Sequence, residues 1–437
     1  MGRAVKYWCV PTRSNHSKLK MIRKNSRYGI YTFFSVILSV CSMISRNLIP
    51  FGADYIILMC WFACTIILLR KQEILIPKRY GIILGALIIV YLISASFSEY
   101  PLSGMNVGIA IIMTIIPFLV FILSYNYLLT ERQIIEYMES ILKMVGLITL
   151  WILLESVIYN GPNDGYTLIG SSVFMIGFYA SLCNIATIIA LSLYYYSKNK
   201  RFLIAFIVFT VALFLTMQLK ALIGEVLIVV IYYWTLKKTR KLTLVILMIL
   251  CLVPMLSNDL LKSKLSDYSS IYLNSDAKYG VARVALFDVS FRLASDYFPF
   301  GAGVGTFGSP IADITRSRVY EDYGIENVWG ISYDGDVDFR KDTHWATVIG
   351  EQGVIGTILY LLLFFYPLIS IYGRHEGRPF SKISRFVIIS STITIFIESL
   401  TLSIPTRMAF ILVYSGLNAM MLKENRSYKN ASITDNN

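Results

Sequence analysis

Apolar runs of about 20 residues, the length a helix needs to cross a ~30 Å hydrocarbon core, recur from Tyr28 to the C-terminus. Twelve such spans are read, over 28–45, 48–69, 80–98, 104–129, 136–159, 168–196, 201–218, 220–236, 242–257, 344–372, 383–403 and 405–422. Within lipid each segment has to satisfy its own backbone polar groups, so runs of this length predict an all-α polytopic membrane protein. Composition agrees: 56% of residues are hydrophobic and mean hydropathy is +0.62, where soluble chains carry about 45–50% apolar residues.

Basic residues set the expected orientation, because Lys and Arg are retained on the cytoplasmic side. The first 27 residues hold Arg3, Lys6, Arg13, Lys18, Lys20, Arg23, Lys24 and Arg27 and no acid. The same bias returns at every second connection: Arg70 to Arg79, Arg132, Lys198 to Arg201, Lys237 to Lys241, Arg374 to Lys382, and Lys423 to Lys429. Twelve helices with both termini cytoplasmic satisfy this alternation. The expected organisation is a basic N-terminus (1–27), nine helices (28–257), one large extracytoplasmic loop between helices 9 and 10 (258–343), three helices (344–422) and a tail (423–437). The loop carries 13 acids and 9 bases although the chain is +13 overall, so the positive excess lies inside. Topology and anionic membrane lipids account for it, and no nucleic acid is expected as a partner. All six cysteines precede the loop, which supports neither a disulfide framework nor a cysteine metal site there.

The loop's second half concentrates the polar chemistry. Val281 to Leu293 has helical apolar spacing and predicts an amphipathic helix whose buried face is Val281, Val284, Ala285, Phe287, Phe291 and Leu293. Pro299 and the glycines after it end that helix in an irregular turn that includes Gly301, Gly303 and Gly305. Gly303-Val-Gly305-Thr-Phe-Gly308 matches the dinucleotide fingerprint in letters only, since no strand precedes it. The glycines either bring backbone amides close to a phosphate or form a structural tight turn. From Ile311 to Asp342 the acid-rich stretch reads as solvated, with a segment that varies with the ligand or partner recognised as the alternative.

Five ionisable residues, Glu155, Lys220, Glu225, Glu398 and Arg407, fall near the loop-side ends of their spans. Charges in such positions are costly, so together they predict a polar cavity open to the loop, with the three carboxylates as cavity acids. Arg283 and Arg292 suit a phosphate or a lipid headgroup, the guanidinium fork making paired charge-assisted bonds. His344 opens a helix and Glu351 follows seven residues later, so both are expected on one face two turns apart. That pair would activate a hydroxyl or, as a plain alternative, cap and anchor the helix. No metal site is read: the Asp334, Asp336, Asp338 series lacks the remaining calcium-loop ligands.

Gly280-Val-Ala-Arg283, Pro299-Phe-Gly301-Ala-Gly303-Val-Gly-Thr-Phe307 and His344 followed by Glu351-Gln-Gly353-Val-Ile-Gly356 together resemble the O-antigen ligase and polymerase superfamily of bacterial envelope polysaccharide enzymes. The motif resemblance covers 280–356, and the helix layout is compatible over nearly the whole chain. One departure is Thr216-Met-Gln-Leu-Lys220, where members usually show Ser-Arg. The resemblance implies a multi-pass glycosyltransferase of the bacterial cytoplasmic membrane. It would act at the outer face on an undecaprenyl-diphosphate-linked oligosaccharide, with no cofactor. It further implies diphosphate binding by Arg283, Lys220, Arg407 and Arg292, acceptor activation by His344 or Glu351, and a flippase and a chain-length regulator as partners. Polymerisation of repeat units is the favoured expectation. Ligation of finished glycan to lipid A core or protein is the nearest alternative, and transport of the lipid-linked glycan or an anion is one of another class.

Overall fold

The computed structural model describes Ser35 and residues 53–69, 74–126, 130–158, 169, 176–237, 282–333, 338–371, 379–401 and 410–424; these are helices and turns, with no strand among them. In chain order the helices are α1 (Ala53–Leu69), α2 (Lys78–Ser96), α3 (Gly104–Asn126), α4 (Glu131–Ile158), α5 (Ile176–Ser197), α6 (Lys200–Leu215) and α7 (Leu219–Tyr232, continued by a π turn, Tyr233–Lys237). They continue with α8 (Ala282–Asp296), α9 (Pro310–Ile314), α10 (Val319–Asp322), α11 (His344–Phe364), α12 (Tyr366–Ile371), α13 (Pro379–Ser399) and α14 (410–424, opening with a π turn at Ile411–Ser415). Seven of the described helices are long and apolar enough to cross a membrane, which makes the chain a polytopic helical membrane protein. The expected spans 28–45, apart from Ser35, and 242–257, together with 1–27 and 258–281, lie outside the described residues.

Burial follows side-chain periodicity. Leu147, Leu150, Trp151 and Leu154 form an exposed apolar stripe on α4, the pattern of a helix face turned to lipid. α5 instead is buried from Phe178 to Leu193 without interruption, so it is the central helix, packed by α4, α6, α7 and α13.

α11 differs from the single expected span over 344–372. Gly353 has φ 62° and ψ −161°, outside any helical conformation, and the chain reverses there. His344 and Tyr360 would be about 24 Å apart in a straight helix at ~1.5 Å per residue, yet their side chains bond at 3.0 Å. The Trp345 and Phe364 rings lie 5.5 Å apart, and the Thr357 hydroxyl donates to the Val348 carbonyl at 3.4 Å. All three pairs centre close to Gln352 and Gly353, the signature of two antiparallel arms. The first arm, 344–352, is too short to cross a bilayer. The second runs on from Val354 through α12.

The predicted amphipathic helix forms as α8, with a different face buried. Ala282, Ala285, Leu286, Val289 and Leu293 pack inward, whereas Phe291 is 60% exposed and Val284 and Phe287 are half-buried. Val281 is outside the described residues. α8 lies against the first arm of α11, where Gly350 admits Leu293 and Phe307. The stretch expected to be solvated also folds: Val319, Tyr320, Ile325 and Ile331 are buried with the α8 face and Ala302, Phe307 and Ala346 in a second hydrophobic core.

Candidate functional site

The glycine turn docks on the reversal of α11 through main-chain bonds. Gly350 and Glu351 carbonyls accept from the amides of Ala302 (2.9 Å) and Gly303 (3.2 Å), and the Ile355 amide donates to the Pro299 carbonyl (3.3 Å). Gly301 and Gly353, both at positive φ, meet backbone to backbone at the centre, and a Cβ on either would overlap main-chain atoms of the other segment. The α2 end completes the joint: Ser94 donates to the carbonyls of Phe300 (2.8 Å) or Glu351 (3.1 Å), and Ser98 to that of Ala302. Gly303 lies against Ser98, and Gly305 against Leu102.

Glu351 points into the turn. Its carboxylate, 1% exposed, accepts from the Phe307 amide at 3.0 Å and is also met by the amides of Gly305 and Thr306 and the Ser309 hydroxyl. The glycines thus aim their amides at a side chain of the protein itself. His344 faces elsewhere: its Nε2 pairs with Tyr360 Oη at 3.0 Å inside an aromatic group with Trp345, whose indole donates to Ser399 at 2.6 Å. His344 and Glu351 both lie on the first arm, seven residues apart, and have separate partners: His344 pairs with Tyr360 across the reversal, and Glu351 accepts from the glycine turn.

The structure does assemble charged residues beside the start of α11. Arg283, on α8, donates to Asp342 at 3.0 Å, and its guanidinium lies 5.8 Å from the Phe339 ring centre. Lys220, at the first turn of α7, is within electrostatic reach of Glu398, Arg283 and Asp342. Three sequence-predicted residues, Arg283, Lys220 and Glu398, therefore share one neighbourhood. Thr343, which precedes α11, makes no side-chain cap, so the positive end of that short helix also faces this group. The two cations are faced by two carboxyl groups, Asp342 and Glu398, and the Asp342 contact shows that the guanidinium engages an anion.

Other predicted residues stand apart. Arg292 is nine residues from Arg283, half a turn out of phase on α8, and stacks at 4.8 Å on the exposed side over Tyr323. Glu155 accepts from Trp151 on α4 at 3.1 Å. Glu225 accepts from the hydroxyls of Thr187 (2.8 Å) and Thr210 (2.7 Å), deeper along α7 than Lys220. Arg407 lies outside the described residues, as do Gly280, Asp334 and Asp336. Among the described residues no cluster of His, Cys, Asp and Glu suited to a metal occurs.

Sequence reasoning missed Asp342, Tyr360 and Asn184. Asn184 donates to Glu398 at 2.6 Å from the middle of α5; an asparagine inside an apolar span was the available signal, masked by attention to charged residues alone. Asp338 was read as a solvated acid. It bonds Arg340 (3.1 Å) and Lys341 (2.7 Å), which also hold Asp313. Burial tends to raise its carboxyl, but these two cations outweigh that and hold it below the usual carboxylate range.

No protein-family model matches the sequence, and no curated protein matches it.

Proposed function

We propose that the chain is a membrane glycosyltransferase that elongates an envelope polysaccharide. It would move the growing glycan from undecaprenyl diphosphate to the next lipid-linked repeat unit at the outer face of the bacterial cytoplasmic membrane. The observation that carries this reading is the convergence of Arg283 and Lys220, 63 positions apart in sequence, beside the start of the His344 helix. In the reaction a sugar hydroxyl attacks the anomeric carbon, the bond from that carbon to the phosphate oxygen breaks, and the diphosphate leaves with the electron pair. Arg283 and Lys220 would stabilise that leaving charge, an electrostatic effect that is often the largest catalytic contribution. In the tautomer whose Nε2–H donates to Tyr360 Oη, His344 Nδ1 would be the atom to take the hydroxyl proton. Glu351, occupied by backbone amides, would position the turn. Flippase, chain-length regulator and the surrounding lipids remain the expected partners.

The test is purified protein in lipid with a defined lipid-linked repeat. A ladder of lengthened glycans is expected, lost in Arg283→Ala and retained in Lys220→Arg. Transfer only to an added core acceptor would replace polymerase by ligase. Passage of substrate across vesicles without new glycosidic bonds would replace both by a transporter.

A further inference from the structure

Where α5, α7 and α13 meet, polar side chains lie that, Lys220 apart, the proposed transfer does not use. Two carboxyl groups, Glu225 and Glu398, are buried there with one ammonium, Lys220, in reach of Glu398. The Cys183 thiol of α5 faces both acids, and Thr210 of α6 covers Glu225 from the other side. If both acids were ionised, one negative charge would have no counter-ion of its own among the described residues of this junction, which is strongly unfavourable in an apolar bundle.

Hydrogen-bond geometry identifies the acid concerned. Thr187 Oγ1 lies 2.8 Å from the Asn184 carbonyl oxygen and 2.8 Å from Glu225 Oε2. Thr210 Oγ1 lies 3.0 Å from the Phe206 carbonyl oxygen and 2.7 Å from Glu225 Oε1. These four oxygen–oxygen contacts share only two hydroxyl protons, and buried threonines on helices commonly give theirs to the preceding turn. A proton on Glu225 fills a third contact.

A second observation is independent of the charges. Asn184 Oδ1 and Thr394 Oγ1 belong to residues no more than 2% exposed and have no hydrogen-bond partner among the described residues, and beside them the Glu398 carboxyl is met only by Asn184 and the Ser181 hydroxyl. The Asn184 amide cannot be turned to relieve this, since Nδ2 already donates to the Ala221 carbonyl (3.0 Å) and to Glu398 Oε1 (2.6 Å). Asn184 and Thr394 both close around Gly224, next to Glu225. Buried oxygens in this state are ordinarily met by ordered water.

We propose that the α5–α7–α13 junction is a proton-binding site in which Glu225 carries the proton and ordered water among Asn184, Thr394 and Glu398 connects it to Lys220. The site stands on this geometry and goes beyond the glycosyl-transfer reading.

Infrared spectroscopy of the full chain in lipid at neutral pH tests it without reference to activity. The wild type should show the carbonyl band of a protonated carboxylic acid that shifts in D2O. That band should vanish in Glu225→Gln and persist in Glu398→Gln. Glu225→Asp keeps a carboxyl and should retain a displaced band, so it serves where the glutamine variant does not fold. Absence of the band in the wild type, or its survival in a folded Glu225→Gln, overturns the proposal. Its loss in Glu398→Gln alone moves the proton to the other acid, with the same consequence. Disappearance of the band when sodium chloride replaces choline chloride at fixed pH would assign the site to a metal cation instead.

Discussion

Gly353 occupies a backbone region that is open essentially to glycine alone, and a Cβ there would also strike the main chain of Pro299 to Gly301. Gly353→Ala should therefore cost more than the ~1–3 kcal/mol of backbone strain alone. Expected readouts are a lower melting temperature and a smaller folded fraction by size-exclusion chromatography. Glu351→Gln replaces an acceptor of several amides by a group that also presents N–H donors to them. Leaving buried donors unsatisfied costs about 1–3 kcal/mol, so a lower melting temperature is expected, while a catalytic base alone would leave it unchanged. The chemistry-bearing residue types were legible in the sequence, and His344, Glu351, Arg283 and Lys220 are all buried or half-buried. Their partners were not legible: His344 and Glu351 both lie on the first arm, before Gly353, and the groups they bond, Tyr360 and the amides of 305–307, come from the second arm and the loop turn. Gly353 was visible as a letter, but not its φ.

At the scale of elements, α8 shows where pattern reading stops. Its sequence offers two faces at helical spacing that share Ala285 and Leu293, one adding Val284, Phe287 and Phe291 and one adding Ala282, Leu286 and Val289. Hydrophobicity favours the bulkier set. Close approach of α8 to Gly350 on α11 favours the smaller one, and packing prevails. The 338–341 segment is tied to α9 by the Asp313, Asp338, Arg340 and Lys341 network, with Arg340 stacked 4.0 Å over Tyr333. Since the Asp338 carboxyl is held below its unfolded value, its contribution is present above the ordinary carboxylate range and is lost as pH falls through the folded value. Asp338→Asn should thus remove part of the acid sensitivity of melting below about pH 4. Thermal melts of wild type and variant between pH 3 and 7 should converge at the acid end; parallel curves would count against a role for this acid.

For the molecule as a whole, length and hydropathy made the membrane bundle legible, and the central place of α5 was not, because nearly every span is apolar and only packing ranks them. The basic-residue alternation predicts which end faces the cytoplasm. In a background lacking the native cysteines, Ser103→Cys between α2 and α3 should react with an impermeant maleimide on intact cells. Lys200→Cys at the start of α6 should react only after permeabilisation, and the reverse pattern would invert the orientation. The joint between the glycine turn and the α11 reversal carries a consequence for how such a chain can vary. Because both partners are main chain, its geometry is indifferent to most neighbouring side chains and is dictated at the few positions where a single added carbon would collide. The sequence around it can drift widely while the loop and the hairpin remain one mechanical body, so that movement of the loop has to carry the first arm of α11 with it.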